Sequence, residues 1–276
     1  MHDQTNEDMT MTTRISSLRR LRNIGAAGLV AVALSAAAGS TAAVMLVTKA
    51  FAAEENEAAI AKSLASMLRS GRTVISRNQD KINDPALGDK GLDGKTVLAE
   101  AVKIYRETTG VDPASIDAKS LHGKLLRMEM DAITEVIDVH QRTINRKGVG
   151  FKGIIPAVFA RQVNESFGRR AVGLAAMKVT APPKLVRNKK ARADEWESKV
   201  IAEKLMSPTW PKDKIFAENL VQNGMKAYRT AMPEYYGATC LSCHGSPAGE
   251  IDITGYQKEG AKAGDLGGVI SITLFQ

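Results

Sequence analysis

Only two cysteines stand among the 276 residues, so no framework of disulfides can staple this chain, and a pair three positions apart points to local chemistry instead. Aromatic residues amount to 5% and histidines number four. Beyond residue 48 there is no apolar run long enough to span a bilayer, which excludes a multi-span membrane protein. The 38 basic residues exceed the 30 acidic ones and give a charge of +8, without a cluster dense enough for a nucleic-acid interface. Nucleic-acid binding is therefore set aside. What is present is ordinary for a folded protein, 44% hydrophobic and 25% charged residues over a length that suits one large domain or two small ones.

Residues 1–52 have the layout of an export segment. Arg14, Arg19, Arg20 and Arg22 form a basic cluster, and an uncharged stretch rich in Ala and Gly follows from Ile24 to Thr48. Ala50-Phe51-Ala52 supplies a small-x-small cleavage pattern, and polar Glu54-Glu55-Asn56 comes next. The segment reads as a signal peptide cleaved after Ala52 or as an uncleaved N-terminal membrane anchor, since 25 uncharged residues suffice to span a bilayer. Under either reading 53–276 is one region that leaves the cytoplasm and works in the periplasm.

Helical spacing dominates the first half of that region. Leu64, Leu68, Ile75 and Ile82 follow a stripe through Gly71 and Asn78, which predicts a helix from Glu54 to Asn83 stopped by Asp84-Pro85 and Gly88. A second helix is expected from Thr96 to Thr108. A third, from Leu121 to Asn145, carries Leu126, Met130, Ile133, Ile137, His140 and Ile144 on one apolar line. The first and third helices are partial copies: 74–91 and 136–153 are identical at eight of 18 aligned positions, a duplicated helix-loop unit rather than a solenoid. Where the first copy has Asn78, the second has His140.

Later signals differ. Pro156 opens a helix through Phe167, Gly173 to Thr180 alternates like a strand, and Pro182-Pro183 breaks the chain. Four basic residues among the six from Arg187 to Arg192 read as a solvated loop, followed by a helix from Asp194 to Leu205. Strands are expected at Met225–Ala231 and at Val269–Phe275. Between Gly245 and Gly268 the glycine-rich chain lacks periodicity, as a loop wrapped on a ligand would. Helices first and antiparallel strands later imply an α+β fold.

Cys240-Leu241-Ser242-Cys243-His244 is the attachment pattern of c-type haem. Two thiols at this spacing can reach two vinyl groups of one porphyrin while the adjoining imidazole turns onto the iron. A redox dithiol needs only the cysteines, and a structural zinc needs four ligands where the chain offers only His2, His122 and His140 besides His244. Cys240, Cys243 and His244 are thus the candidate haem-binding residues, with His244 as proximal ligand of one covalently bound haem c. For the sixth position His140 is the candidate, an imidazole on a buried line that needs a partner. Met67, Met130, Met177 or an open, water-filled site are the alternatives. His122, at a helix start, is expected to be exposed.

These residues resemble a known family, the c-type haem-binding domains with a Per-Arnt-Sim-like fold found in bacterial periplasmic sensors and cyanobacterial single-domain proteins. The resemblance is carried by Gly150-Phe151-Lys152-Gly153-Ile154-Ile155-Pro156-Ala157-Val158-Phe159, by Val186-Arg187-Asn188 with Asp194-Glu195-Trp196-Glu197, and by Cys240 to Gly245 with Gly264-Asp265-Leu266-Gly267-Gly268-Val269-Ile270-Ser271. It implies a central antiparallel sheet with flanking N-terminal helices, haem attached beside the sheet, and a role in sensing or electron transfer. Some members take the sixth ligand from a cysteine or methionine on an early helix, and this chain has no third cysteine. Lys189 to Ala193 also depart from the Asn and Pro that usually follow Arg187-Asn188.

Three functions compete. A redox carrier needs only a haem whose potential is set by ligation, burial and hydrogen bonds. A sensor subunit would pass a change at the iron to a separate signalling protein. An enzyme such as a peroxidase would need a distal acid-base pair, for which no His/Arg constellation can be assigned. Because no kinase, methyl-accepting or cyclase region follows the last strand, the expectation is a non-enzymatic electron-transfer cytochrome with a redox partner protein, the sensor subunit being the alternative. A homodimer is compatible with the sequence, and Tyr235-Tyr236 are expected to pack on the haem edge.

Overall fold

Asn78 interrupts what the periodicity draws as a single helix. The computed structural model describes residues 35–276, with side chains from residue 56 onward. In it α1 (Ser35–Arg77) ends one residue before Asn78, and a short α2 (Gln79–Asn83) follows. The Asn78 side-chain amide donates to the Val74 carbonyl at 2.9 Å, the local bond by which Asn competes with helix continuation. Two compact units are distinguished, Met1–Lys49 and Ala50–Gln276. The arginine cluster and the start of the apolar stretch lie outside the described residues. Among those described, no helix is long and apolar enough to cross a membrane.

The remaining helices begin where side chains satisfy their free amides. Asp93 accepts from the Thr96 amide at 2.7 Å and opens α3 (Gly94–Thr109), which Gly110 closes with φ of 71°. Ser120 caps α4 (Leu121–Ile144), Pro156 opens α5 (Pro156–Arg170), and a reciprocal Asp194–Glu197 capping box opens α6 (Glu195–Val200), which continues as a π turn to Leu205.

The apolar line drawn along α4 is only partly the buried one. Leu126, Ile133, Ile137 and Ile144 are enclosed, but so are Leu125, Glu129, Ala132 and Val136, while Met130 and His140 are half-exposed. α4 packs between α3 and α5 and so buries a broader arc than a single stripe.

Duplication shows as exchanged contacts. Asn83 accepts from the Lys152 amide at 2.9 Å, and Asn145, its counterpart, accepts from the Lys90 amide at 3.0 Å. Gln79 donates to the Ile154 carbonyl at 2.9 Å, and its counterpart Gln141 donates to that of Leu92 at 2.7 Å. Both lysines are buried, and their ammonium groups donate to backbone carbonyls of their own loops, Lys90 to Leu87 and Lys152 to the equivalent Val149.

Four strands, β1 (Ala175–Thr180), β2 (Phe216–Gln222), β3 (Met225–Tyr235) and β4 (Leu266–Phe275), form an antiparallel sheet in the order β1-β4-β3-β2, so the fold is α+β. β2 is an addition to the sequence reading. It joins β3 through Asn223-Gly224, both at positive φ (52° and 78°), with Gln222 paired to Met225. That is the geometry of a two-residue type I′ hairpin. One face of the sheet supplies Met177, Tyr228, Met232, Ile270, Ile272 and Leu274 to the main core with α1, α3, α4 and α5. The other places Ala231 and Val269 against Val200, Ile201 and Leu205 of the α6 segment.

Candidate functional site

β3 carries the chain to Tyr236, whose amide donates to the Asp265 carbonyl at 2.9 Å just before β4 begins. Gly267 allows this: a Cβ there would come within 2.5 Å of the Tyr236 ring. A 3₁₀ turn, Ala238–Cys240, then leads directly into α7 (Leu241–His244). Cys240, Cys243 and His244 are therefore i, i+3 and i+4 on one turn and share a face. Both cysteines are free thiols, half-exposed and open to covalent chemistry. Gly245 closes the turn with its amide on the Leu241 carbonyl at 2.8 Å, where a Cβ would meet that same oxygen at 2.5 Å.

The His244 ring is held from two sides. It stacks on Tyr236 with centroids 4.8 Å apart and planes at 26°. Its Nδ1 lies 2.8 Å from Glu259 Oε2 and 3.3 Å from the Tyr236 hydroxyl. Burial pushes the Glu259 carboxyl up, but hydrogen bonds from Arg187 and His244 outweigh it and hold the group below its ordinary value. Glu259 is thus a carboxylate that accepts, and Nδ1 carries the proton. Among the described residues Nε2 makes no hydrogen bond. Burial and the Glu259 charge push the Tyr236 phenol up to about 12, so the ring that stacks on His244 stays neutral.

Arg187 fixes this assembly. Its guanidinium donates to both Glu259 oxygens (3.0 and 3.1 Å), to Asp252 Oδ2 (2.6 Å) and to the Cys243 carbonyl (2.9 Å), and is only 18% exposed. The expectation of a solvated loop is corrected here for Arg187, although Lys189, Lys190 and Arg192 beside it are exposed. Asp252 is buried and accepts from Thr254, Tyr256 and Arg187, which more than offset its burial and keep it ionised far down the pH scale. The 245–265 loop folds onto the cysteine turn itself: the Ala261 amide donates to the His244 carbonyl at 2.8 Å and that of Gly260 to Gly245 at 3.1 Å. A cleft of about 370 Å³ opens at the end of β3, with Arg69, Glu234 and Tyr235 among its walls and Arg69 paired to Glu234 at 2.7 Å.

The structure brings Cys240, Cys243 and His244 together on one turn, and places His140 on α4 against α5. His140 Nε2 pairs with Gln162 Oε1 of α5 at 2.7 Å. Met67 is fully buried on α1, Met177 is buried on β1, and Met130 is half-buried on α4. His122 is half-buried rather than exposed, and its Nε2 is enclosed without a partner. Sequence reading did not find Glu259 or Asp252, acidic residues scattered through an aperiodic loop, nor the part Arg187 plays. The available signal for Arg187 was its place in the Val186-Arg187-Asn188 motif that carries the family resemblance.

The donor set fits a haem. A ligating imidazole needs one nitrogen fixed by an outer hydrogen bond and the other free, which Glu259 and the unbonded Nε2 provide. The two free thiols on the same turn are the groups that would carry a porphyrin as thioethers. No curated protein and no solved structure shows a match to the chain. The Tll0287-like family (Tll0287) matches residues 49–274, which takes in most of α1, all elements from α2 to β3, α7 and all of β4 but its last residue. With most of its length matched, the chain belongs to the Tll0287-like family, the c-type haem-binding, Per-Arnt-Sim-like family that its sequence resembles.

Proposed function

We propose that the chain is an exported single-haem c-type cytochrome that transfers electrons to and from a partner protein. The observation that carries this reading is the state of His244. Its Nδ1 is committed to Glu259, its Nε2 is unbonded, and two free thiols sit on the same turn. Cys240 and Cys243 would hold the porphyrin as thioethers, and Nε2 of His244 would bind the iron. When bound, the haem supplies a one-electron couple.

The chain's own residues set the conditions for that couple. Glu259 fixes the tautomer and orientation of His244 and makes the imidazole a more electron-rich donor. Arg187 holds Glu259 and the Cys243 carbonyl in one fork, so ligand and attachment turn move together. Tyr236 shields one face of the imidazole. No side chain needs to gain or lose a proton, which suits a carrier rather than a catalyst. The open antiparallel sheet with helices packed on it supports the Per-Arnt-Sim-like part of the reading.

Protein made with a cytochrome c maturation system should retain its haem on a denaturing gel, and Cys240→Ala/Cys243→Ala should lose it. Mature protein from the periplasmic fraction should begin at Ala53 if residues 1–52 are a cleaved signal. A wild-type chain without haem stain would overturn the reading.

A further inference from the structure

A surface loop normally turns its polar residues to water, and the hairpin after the cysteine turn does the reverse. Asp252 is 7% exposed, while Ile251, Ile253 and Tyr256 are 59, 63 and 47% exposed. The loop is not loose. Ile251 pairs with Gln257, the Asp252 amide donates to the Tyr256 carbonyl at 2.8 Å, and the Lys258 amide donates to the Glu250 carbonyl at 2.8 Å. Asp252 in turn accepts from Thr254 and Tyr256 at the tip and from Arg187 below it. Three large apolar side chains are thus held outward by a buried carboxylate. Exposed apolar surface that is rigidly presented has its ordering cost already met, which favours binding a partner.

The neighbouring segment supplies charge. Tyr256 Oη donates to the Arg187 carbonyl at 3.2 Å, joining the hairpin to the stretch that carries Lys184, Lys189, Lys190 and Arg192, all exposed. The acidic groups of the hairpin are already engaged: Asp252 and Glu259 by Arg187, and Glu250 by Lys258 at 3.3 Å. The combination is an apolar centre with a cationic border, the anatomy of a protein-binding patch steered by charge. It also leads directly to the site, because the residue that follows the hairpin is Glu259, which touches His244.

We propose that the 250–258 hairpin and the 184–192 segment form the docking surface for an acidic protein electron carrier, with Ile251, Ile253 and Tyr256 at the contact and the lysines steering approach. This rests on the redox reading given above and adds the partner's chemistry and the face it meets.

The test uses the reduced holoprotein with two small oxidants, anionic ferricyanide and cationic tris(phenanthroline)cobalt(III), followed by stopped flow. At low salt, Lys189→Glu/Lys190→Glu should slow ferricyanide severalfold and speed the cobalt reagent. Both differences should vanish near 1 M salt, where the screening length is about 3 Å. A second arm titrates labelled holoprotein with an acidic plastocyanin as probe carrier. Line broadening should fall on 184–192 and 250–258, and Ile251→Ser/Ile253→Ser should weaken binding about tenfold, as loss of contact-centre residues does. Equal rates with both reagents in wild type and variant, or broadening elsewhere, would overturn the surface while leaving the cytochrome intact. Absence of haem in the wild-type protein would overturn both.

Discussion

Glu259 accepts the Nδ1 proton of His244 at 2.8 Å, and its other oxygen accepts from Arg187 at 3.0 Å. A carboxylate on the far side of an iron-bound imidazole stabilises the oxidised metal and lowers the potential. Glu259→Gln keeps the hydrogen bond and removes the charge, so the potential should rise by on the order of tens of millivolts. Because the Glu259 value is depressed, the wild-type potential should be steady above the ordinary carboxylate range. It should rise as pH falls through the depressed value. A spectroelectrochemical titration reads both effects, and a variant with an unaltered potential would remove Glu259 from the tuning of the iron.

Arg187→Ala should cost about 3 kcal/mol, the lower end for breaking a buried ion pair, because Asp252 is left enclosed and charged. That corresponds to a fall in Tm of roughly 6–12 °C for a chain of this size. Both carboxylates bound by Arg187 have depressed values in the fold. Their contribution is therefore complete above the unfolded carboxylate values and is lost as pH falls through the folded ones. The gap in Tm between wild type and Arg187→Ala should shrink in acid. Arg187→Lys should recover little of it, since an ammonium cannot serve three acceptors in a planar fork.

Glu129 is fully buried on α4, and neither of its oxygens has a hydrogen-bond partner. Burial pushes its carboxyl well above the ordinary range, so it is folded as the neutral acid. The sign is opposite to that of Asp252. Stability is highest below the unfolded value and falls as pH rises from there toward the folded one. Each unit of displacement is about 1.4 kcal/mol. Glu129→Met, matching Met67 at the equivalent position of the first copy, should raise the Tm at pH 7 by several degrees. The gain should diminish toward pH 4, and a gain independent of pH would contradict the neutral assignment.

His140 pairs with Gln162 at 2.7 Å through Nε2, one of the two nitrogens by which an imidazole binds iron. With that pairing kept in the holoprotein, His140→Ala should leave the ferric spectrum and spin state unchanged and cost about 1 kcal/mol of stability for the lost hydrogen bond. Conversion to a high-spin spectrum that binds added imidazole would place His140 on the iron.

How far the sequence could be read follows from the distances over which its signals act. Cys240 to His244 was legible because the chemistry lies within five consecutive residues. α4 and β4 were legible because periodicity is local. β2 was missed although Asn223-Gly224 marks its hairpin, since its own residues mix polar and apolar without alternation. The helix break at Asn78 depended on a side chain bonding to its own backbone, which an apolar stripe does not register. Glu259 and Arg187 meet across 72 residues, and nothing in either local sequence announces the other. His140 was read as an imidazole that needs a partner because it continues an apolar line, and the partner seen, Gln162, comes from α5, the neighbouring helix in the packing rather than in the sequence.

Each copy of the duplicated helix-loop unit keeps the acceptor that the other copy's lysine amide needs. Neither loop can therefore close alone, and an opening on one side strands a donor on the other. The two loops should exchange their amide hydrogens as one event, with Lys90 and Lys152 showing the same protection. The same coupling restrains descent: a deletion or insertion between Asn83 and Lys90, or between Asn145 and Lys152, unseats both halves at once, so the two segments can lengthen or shorten only in concert.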